Sequence, residues 1–179
     1  MGTAPTITAA PLAWGARVSP AFRANGRAIA GRLGVSADDL MACMAWETGR
    51  TFSPSVANRA GSGAVGLIQF MPGSARVLGT STAALAAMKA EAQLAFVEKY
   101  FQPYRGRLHN LSDLYMAILW PAAVGRPDDY VLFDRASRPA AFRQNAGLDA
   151  NGNGAVTKGE CAARLYGIRD EGLRPENAA

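Results

Sequence analysis

Cysteine, histidine and charge are all scarce in this 179-residue chain. Its two cysteines, Cys43 and Cys161, lie far apart and form no CxxC pair. That excludes a disulfide-stapled scaffold and a thiolate zinc site, and both are expected as small buried apolar residues. One histidine, His109, leaves too little for a histidine-based zinc centre or a Ser-His-Asp triad, so a surface or capping role is expected for it. Charged residues make up 18% of the chain, with a formal excess of +5. The excess favours an anionic partner, yet the basic residues are scattered, with no Lys/Arg block or aromatic-interleaved stripe. No nucleic-acid partner is therefore expected. No apolar run reaches the roughly 18 residues that cross a bilayer. The longest, LYMAILWPAAVG, is interrupted by Pro121, and no membrane insertion is expected. The N-terminus lacks a basic segment followed by an apolar one, so no secretory signal is read there.

Apolar residues, by contrast, reach 49%, with abundant alanine and glycine and few β-branched runs. This composition predicts a mainly α, single-domain protein with glycine-rich loops. Residues 1–19 read as an irregular arm, 20–170 as the domain, and 171–179 as a frayed tail. Helices are predicted over 20–33, from Ser36 to Thr48, over 72–78 and over 83–100. Others follow from a Ser112 cap to Pro121, near 138–146, and after Thr157. In the second helix Ser36 is the expected N-cap, Asp39 completes a capping-box-like start, and Gly49 is the stop. Residues 49–66 read as a long irregular loop.

The stretch LMACMAWETGR ends an apolar helix on one acid, Glu47. Leu40, Cys43, Met44 and Glu47 share a helical face, so the carboxyl points toward whatever buries that face. Desolvation and the negative end of the helix dipole both favour its protonated form. A carboxyl tuned in this way can protonate a leaving group, as a glycosidase general acid does. A structural glutamate bonded to the loop that follows is the other reading.

The residues after it, ETGRTFSPSVANRAGSGAVGLIQFMPGSA, carry a resemblance. Glu47-Thr48-Gly49, followed by Gly66-Leu67-Ile68-Gln69-Phe70-Met71-Pro72, resembles the catalytic core of soluble, lysozyme-like lytic transglycosylases. A third element, DLYMAILWPAA, resembles the family's tyrosine-bearing helix and places Tyr115 near the acid, although Met116-Ala117-Ile118 replaces the usual Asn-Ala-Gly. The chain as a whole resembles phage and prophage cell-wall lysins of this type. The resemblance implies a lysozyme-like fold, Glu47 as catalytic acid, and Gln69 and Tyr115 in the sugar cleft. Ser62 is a candidate for the loop serine that the family has at the position of Ala60, and Phe70 is a candidate cleft contact. For Phe70, Met71, Trp46 and Trp120 packing in the core is the favoured reading.

The implied reaction cleaves the β-1,4 bond between N-acetylmuramic acid and N-acetylglucosamine in peptidoglycan glycan strands. Glu47 protonates the glycosidic oxygen, then acts as base while the muramoyl 6-hydroxyl attacks C1, giving a 1,6-anhydro end. No second carboxylate and no catalytic cofactor are required. A hydrolytic muramidase usually uses a second acid, for which Asp113, Asp128, Asp129 and Asp134 are candidates without a recognisable motif. A monomer is expected, made in the host cytoplasm and reaching the wall by holin release or as part of a virion.

DANGNGAVTKGE, residues 149–160, matches the EF-hand pattern at every defined position. Asp149, Asn151, Asn153, Ala155 (through its carbonyl), Thr157 and Glu160 are the expected calcium ligands, and Gly154 provides the turn. The other reading is a polar turn before a helix. With two charged ligands the affinity is expected to be weak, on the order of 10⁻⁴ M or poorer, and the ion structural. A non-catalytic, calcium-dependent wall-binding or virion module is the alternative function.

Overall fold

A computed structural model describes residues 10–58 and 61–179. Helix α1 (Pro20–Leu33) starts at Ser19, whose hydroxyl accepts from Phe22 N–H, and buries Phe22, Ile29 and Leu33. Helix α2 (Ala37–Glu47) starts at Ser36, as expected. Asp39, however, does not close a capping box: its carboxylate accepts from Arg169, 3.1 Å away. Asp39 to Ala45 are all buried, so α2 is a central helix enclosed on every side rather than an amphipathic one. It packs against α1, α6 and α8.

After the loop come α3 (Pro72–Val77), α4 (Thr82–Ala86) and α5 (Ala90–Phe101). The single helix expected over 83–100 is thus two, the first capped by Ser81. Helix α6 (Leu111–Leu119) is capped by Asn110, whose Oδ1 accepts from Asp113 N–H at 2.8 Å. The expected cap, Ser112, instead lies buried inside the helix. Strand β1 (Val131–Asp134), helix α7 (Pro139–Asn145), strand β2 (Ala155–Thr157) and helix α8 (Lys158–Gly172) complete the chain. The two strands, not anticipated, pair antiparallel with Phe133 opposite Val156. The result is a mainly helical single domain with one small sheet. No described helix is long and apolar enough to cross a membrane.

Both ends differ from expectation. Residues 1–9 of the arm lie outside the described residues, but Leu12, Ala13 and Trp14 are fully buried. The Trp14 indole donates to Ile168 O at 3.0 Å, and its ring lies so close to Gly172 that a β-carbon there would meet it at 2.4 Å. The expected frayed tail is docked too: Leu12 and Ala179 exchange backbone hydrogen bonds, and Asn177 is buried. Cys43 and Cys161 are buried free thiols, and His109 is exposed, as the sequence suggested.

Candidate active site

Glu47 is the last residue of α2. Beyond it the helix closes with a Schellman arrangement: Arg50 N–H donates to Ala45 O, Gly49 N–H to Trp46 O, and Gly49 has φ 58°. The turn is stapled by buried Thr48, whose hydroxyl donates to Met44 O at 2.7 Å and accepts from Phe52 N–H at 3.0 Å. Glu47 is thereby held at a cleft of about 410 Å³ walled by Thr48, Gly49, Thr51, Val56 and Gln69. It is the one carboxylate among the described residues lining that cleft.

Burial raises the pKa of Glu47 from 4.5 to about 8. Desolvation is the cause, and among the described residues no cation or donor offsets it. At neutral pH the group is therefore mostly an acid holding its proton. Its charge also acts on two tyrosines. Tyr115, nearly buried on α6, is pushed well above its ordinary value by desolvation and then by Glu47. Tyr100 on α5 rises to about 12 through desolvation, Tyr104 and Glu47.

The Tyr115 hydroxyl accepts from Trp46 Nε1 at 3.0 Å, which leaves its own proton to donate. Trp46 packs half-buried against the core, as expected, and its indole also supports Tyr115. Gln69 stands on a left-handed backbone, φ 52°, and its Nε2 donates to Val56 O and Gly66 O at 3.1 and 3.2 Å. The amide therefore clamps the turn rather than capping α3, and Oε1 remains as an acceptor on the cleft wall.

Phe70 is 1% exposed and sits edge-on to Tyr100, so it packs the core and offers no sugar platform. Met71, favoured as a core residue, is 46% exposed. Trp120 is partly buried, edge-on to Phe133, with Arg138 over its ring. Ser62 is exposed and its hydroxyl accepts from Ala64 N–H within the loop. Ala60 lies outside the described residues.

Of the four candidate second acids, Asp113 is locked in a buried ion pair, 2.5 Å from Lys158 Nζ, and also accepts from Gly125 and His109 N–H. Desolvation alone would raise its pKa; Lys158 and these N–H groups together hold it below the ordinary value. Asp134 caps the turn at 136–137, Asp128 is exposed and accepts from Ser112 Oγ, and Asp129 is exposed.

Gln93 was not anticipated from the sequence. Fully buried, it accepts from Leu67 N–H at 2.7 Å and donates to Pro54 O and Leu85 O, fixing the loop that carries Gln69. Its signal was available: Gln93, Val97 and Tyr100 fall on one helical stripe, and that stripe also carries the second tyrosine beside Glu47. A larger groove, about 460 Å³, runs past Val77, Leu78 and Tyr104, but it gathers no acid.

In the calcium-like loop, Asp149 accepts from Asn153 and Gly154 N–H, while Asn151 and Asn153 accept from nearby backbone N–H groups. The Glu160 carboxylate reaches both ends, accepting from Ala150 N–H at 3.1 Å and from Thr157 N–H at 2.9 Å. The second contact completes a capping box for α8. Among the described residues no three acidic, histidine or cysteine side chains gather as a metal cluster. No family model matches the chain, and a search of curated proteins returns none similar to it.

Proposed function

We propose that the chain is a peptidoglycan-cleaving enzyme of lysozyme-like fold, acting as a lytic transglycosylase on the bond between N-acetylmuramic acid and N-acetylglucosamine. The observation that carries this reading is Glu47: the one carboxyl among the described residues of a cleft walled by both polar and apolar groups, with a pKa raised to about 8 by burial. Such a group is protonated at neutral pH and can donate to a glycosidic oxygen. After bond cleavage the Glu47 carboxylate takes the proton of the muramoyl 6-hydroxyl as that oxygen closes on C1. Proton bookkeeping thus closes on one residue. The Oε1 of Gln69 accepts from a sugar hydroxyl or amide, and the Tyr115 hydroxyl donates near the reacting centre. The engagement of Asp113 with Lys158 favours this mechanism over a two-carboxylate hydrolase.

Calcium fits the 149–160 loop by donor chemistry. Asp149, Asn151, Asn153, the Ala155 carbonyl, Thr157 and Glu160 offer only oxygen, as a hard cation requires. The ion would staple the loop to α8 and take no part in the reaction.

Digestion of purified peptidoglycan by wild type and Glu47→Gln, with mass spectrometry of the muropeptides, tests the proposal. Anhydro ends made by wild type and lost in the variant are expected. Reducing ends would identify a muramidase, and equal activity in both proteins would remove Glu47 from the chemistry. An intact glycan, with calcium-dependent sedimentation on wall material, would favour a non-catalytic binding module.

A further inference from the structure

Left-handed backbone recurs in and beside the walls of the Glu47 cleft. Among the described residues, four that are not glycine hold left-handed backbone: Trp14 (φ 62°), Arg50 (69°), Phe52 (51°) and Gln69 (52°). Such geometry crowds a β-carbon and persists only where the surroundings impose it. Gln69 lines the cleft, Thr48, Gly49 and Thr51 form another part of its wall, and Arg50 and Phe52 stand in the same turn. Trp14 reaches the same place through Arg50, whose guanidinium lies 5.8 Å from the indole centroid.

The anchor at Gln69 lies within its own loop, and that at Phe52 comes from α1. The Phe52 ring packs edge-on to Phe22 at 5.9 Å, and the Gln69 amide grips its own turn. At Arg50 the anchor lies 121 residues on in sequence. Its Nε and Nη2 donate to the two oxygens of Glu171, near the end of α8, at 2.9 and 2.6 Å. An ion pair with side chains 42% and 31% exposed adds little to stability by itself. Glycine or asparagine would adopt this φ with less strain. General stability is therefore a poor reason for an arginine here.

We infer that Arg50 is a positioning residue: by its fork to Glu171 and its stack on Trp14 it holds the 48–52 wall and the enclosure of Glu47. The cleft is then complete only when the N-terminal segment and the end of α8 are docked together. The consequence for catalysis rests on the reading of Glu47 as the acid; the positioning itself does not.

Two measurements separate these claims. The first is NMR titration of the Glu47 carboxyl, in ¹³C-glutamate-labelled wild type, Arg50→Ala, Arg50→Lys and Glu171→Gln. The second is the pH dependence of peptidoglycan cleavage by the same proteins. Loosening the wall hydrates Glu47, so its midpoint should fall by about one unit or more in Arg50→Ala and Glu171→Gln. The alkaline limb of activity should fall with it. Lysine, which keeps the charge but not the fork, should restore part of the shift. Tyr100, Tyr115 and Cys43, which feel the Glu47 charge, are unchanged in every variant. An unaltered Glu47 midpoint in folded Arg50→Ala and Glu171→Gln overturns the inference. If Arg50→Ala does not fold, Glu171→Gln, a partly exposed change on α8, decides alone. If wild type cleaves no glycan, the proposed function fails while the titration still decides the positioning role.

Discussion

Replacing Glu47 by glutamine separates the cost of its charge from the fit of its shape. The folded protein holds this proton with a pKa of about 8, against an ordinary 4.5. Between those values the folded state binds more protons than the unfolded chain, so stability falls as pH rises. Below the lower value the carboxyl is neutral in both states and differs little from the amide. Above the upper value the folded protein carries a poorly solvated carboxylate, which glutamine avoids. At about 1.36 kcal/mol per unit, the shift sets a ceiling of about 5 kcal/mol on the alkaline loss. Glu47 is half-buried rather than sealed, and hydration at the cleft mouth brings this to about 2–4 kcal/mol. Each kcal/mol moves the Tm of a domain this size by about 2–4 °C. Calorimetry from pH 4 to pH 9 should therefore show Glu47→Gln melting close to wild type at the acid end and roughly 5 °C or more above it at the alkaline end. A difference that stays flat, or shrinks as pH rises, would refute the desolvated carboxyl and with it the argument for a general acid.

Lys158→Met should cost about 3–5 kcal/mol in urea denaturation, because it leaves the Asp113 carboxylate buried without its counter-charge. The double variant with Asp113→Asn should recover much of that loss, and an equal loss in both would show that the isolated charge is not the cause. Gly66→Ala should lose about 2–4 kcal/mol, since its β-carbon would lie 2.4 Å from Gln93 Oε1 on a backbone with φ 82°. Gly73→Ala, in α3 with open space around it, should be neutral or slightly stabilising; similar losses at both sites would argue against the Gln93 hub. Calcium should raise the Tm of wild type but not of Asn151→Ala, which leaves the Thr157–Glu160 capping box intact. Glu160→Ala should lose the calcium effect and also about 1 kcal/mol without calcium. A wild type indifferent to calcium would refute the site.

The parts of this structure legible in the sequence are those whose causes lie within a few residues. Ser36 and Gly49 bracket α2 because a cap and a left-handed stop act on their own helix end. The same locality put Glu47 at the end of an apolar helix, and burial there produced the raised pKa that the composition of that helix suggested. The errors concern partners far away in the chain. Asp39 looked like the second half of a capping box, yet Arg169 outcompetes the local backbone N–H for its carboxylate. The engagement of Asp113, one of four acids named as a second carboxylate without a motif, was equally invisible: its partner Lys158 lies 45 residues on. The arm 1–19, rich in proline, threonine and alanine, and the tail 171–179 read as loose ends, whereas residues 12–16 and 172–179 supply backbone partners to each other. The two strands were missed for the same reason, since each is too short to show alternation without its mate.

These long-range contacts do more than close the fold. A carboxyl at the end of a helix is ordinarily hydrated and ordinarily ionised; only a wall keeps it otherwise. Here the loop wall is fixed by Gln93 from α5, and the turn wall by Arg50 through α8 and Trp14. Neither support contributes an acid or a base, and neither resembles part of a catalytic motif. The residue proposed to carry the chemistry is therefore legible in the stretch from Leu40 to Arg50, whereas the supports of its walls, Gln93 and Glu171, lie 26 residues from Leu67 and 121 residues from Arg50, the groups they hold. If the titration of Glu47 follows substitutions at Arg50 and Glu171, the reactivity of this site belongs to the assembled domain and not to the motif that marks it.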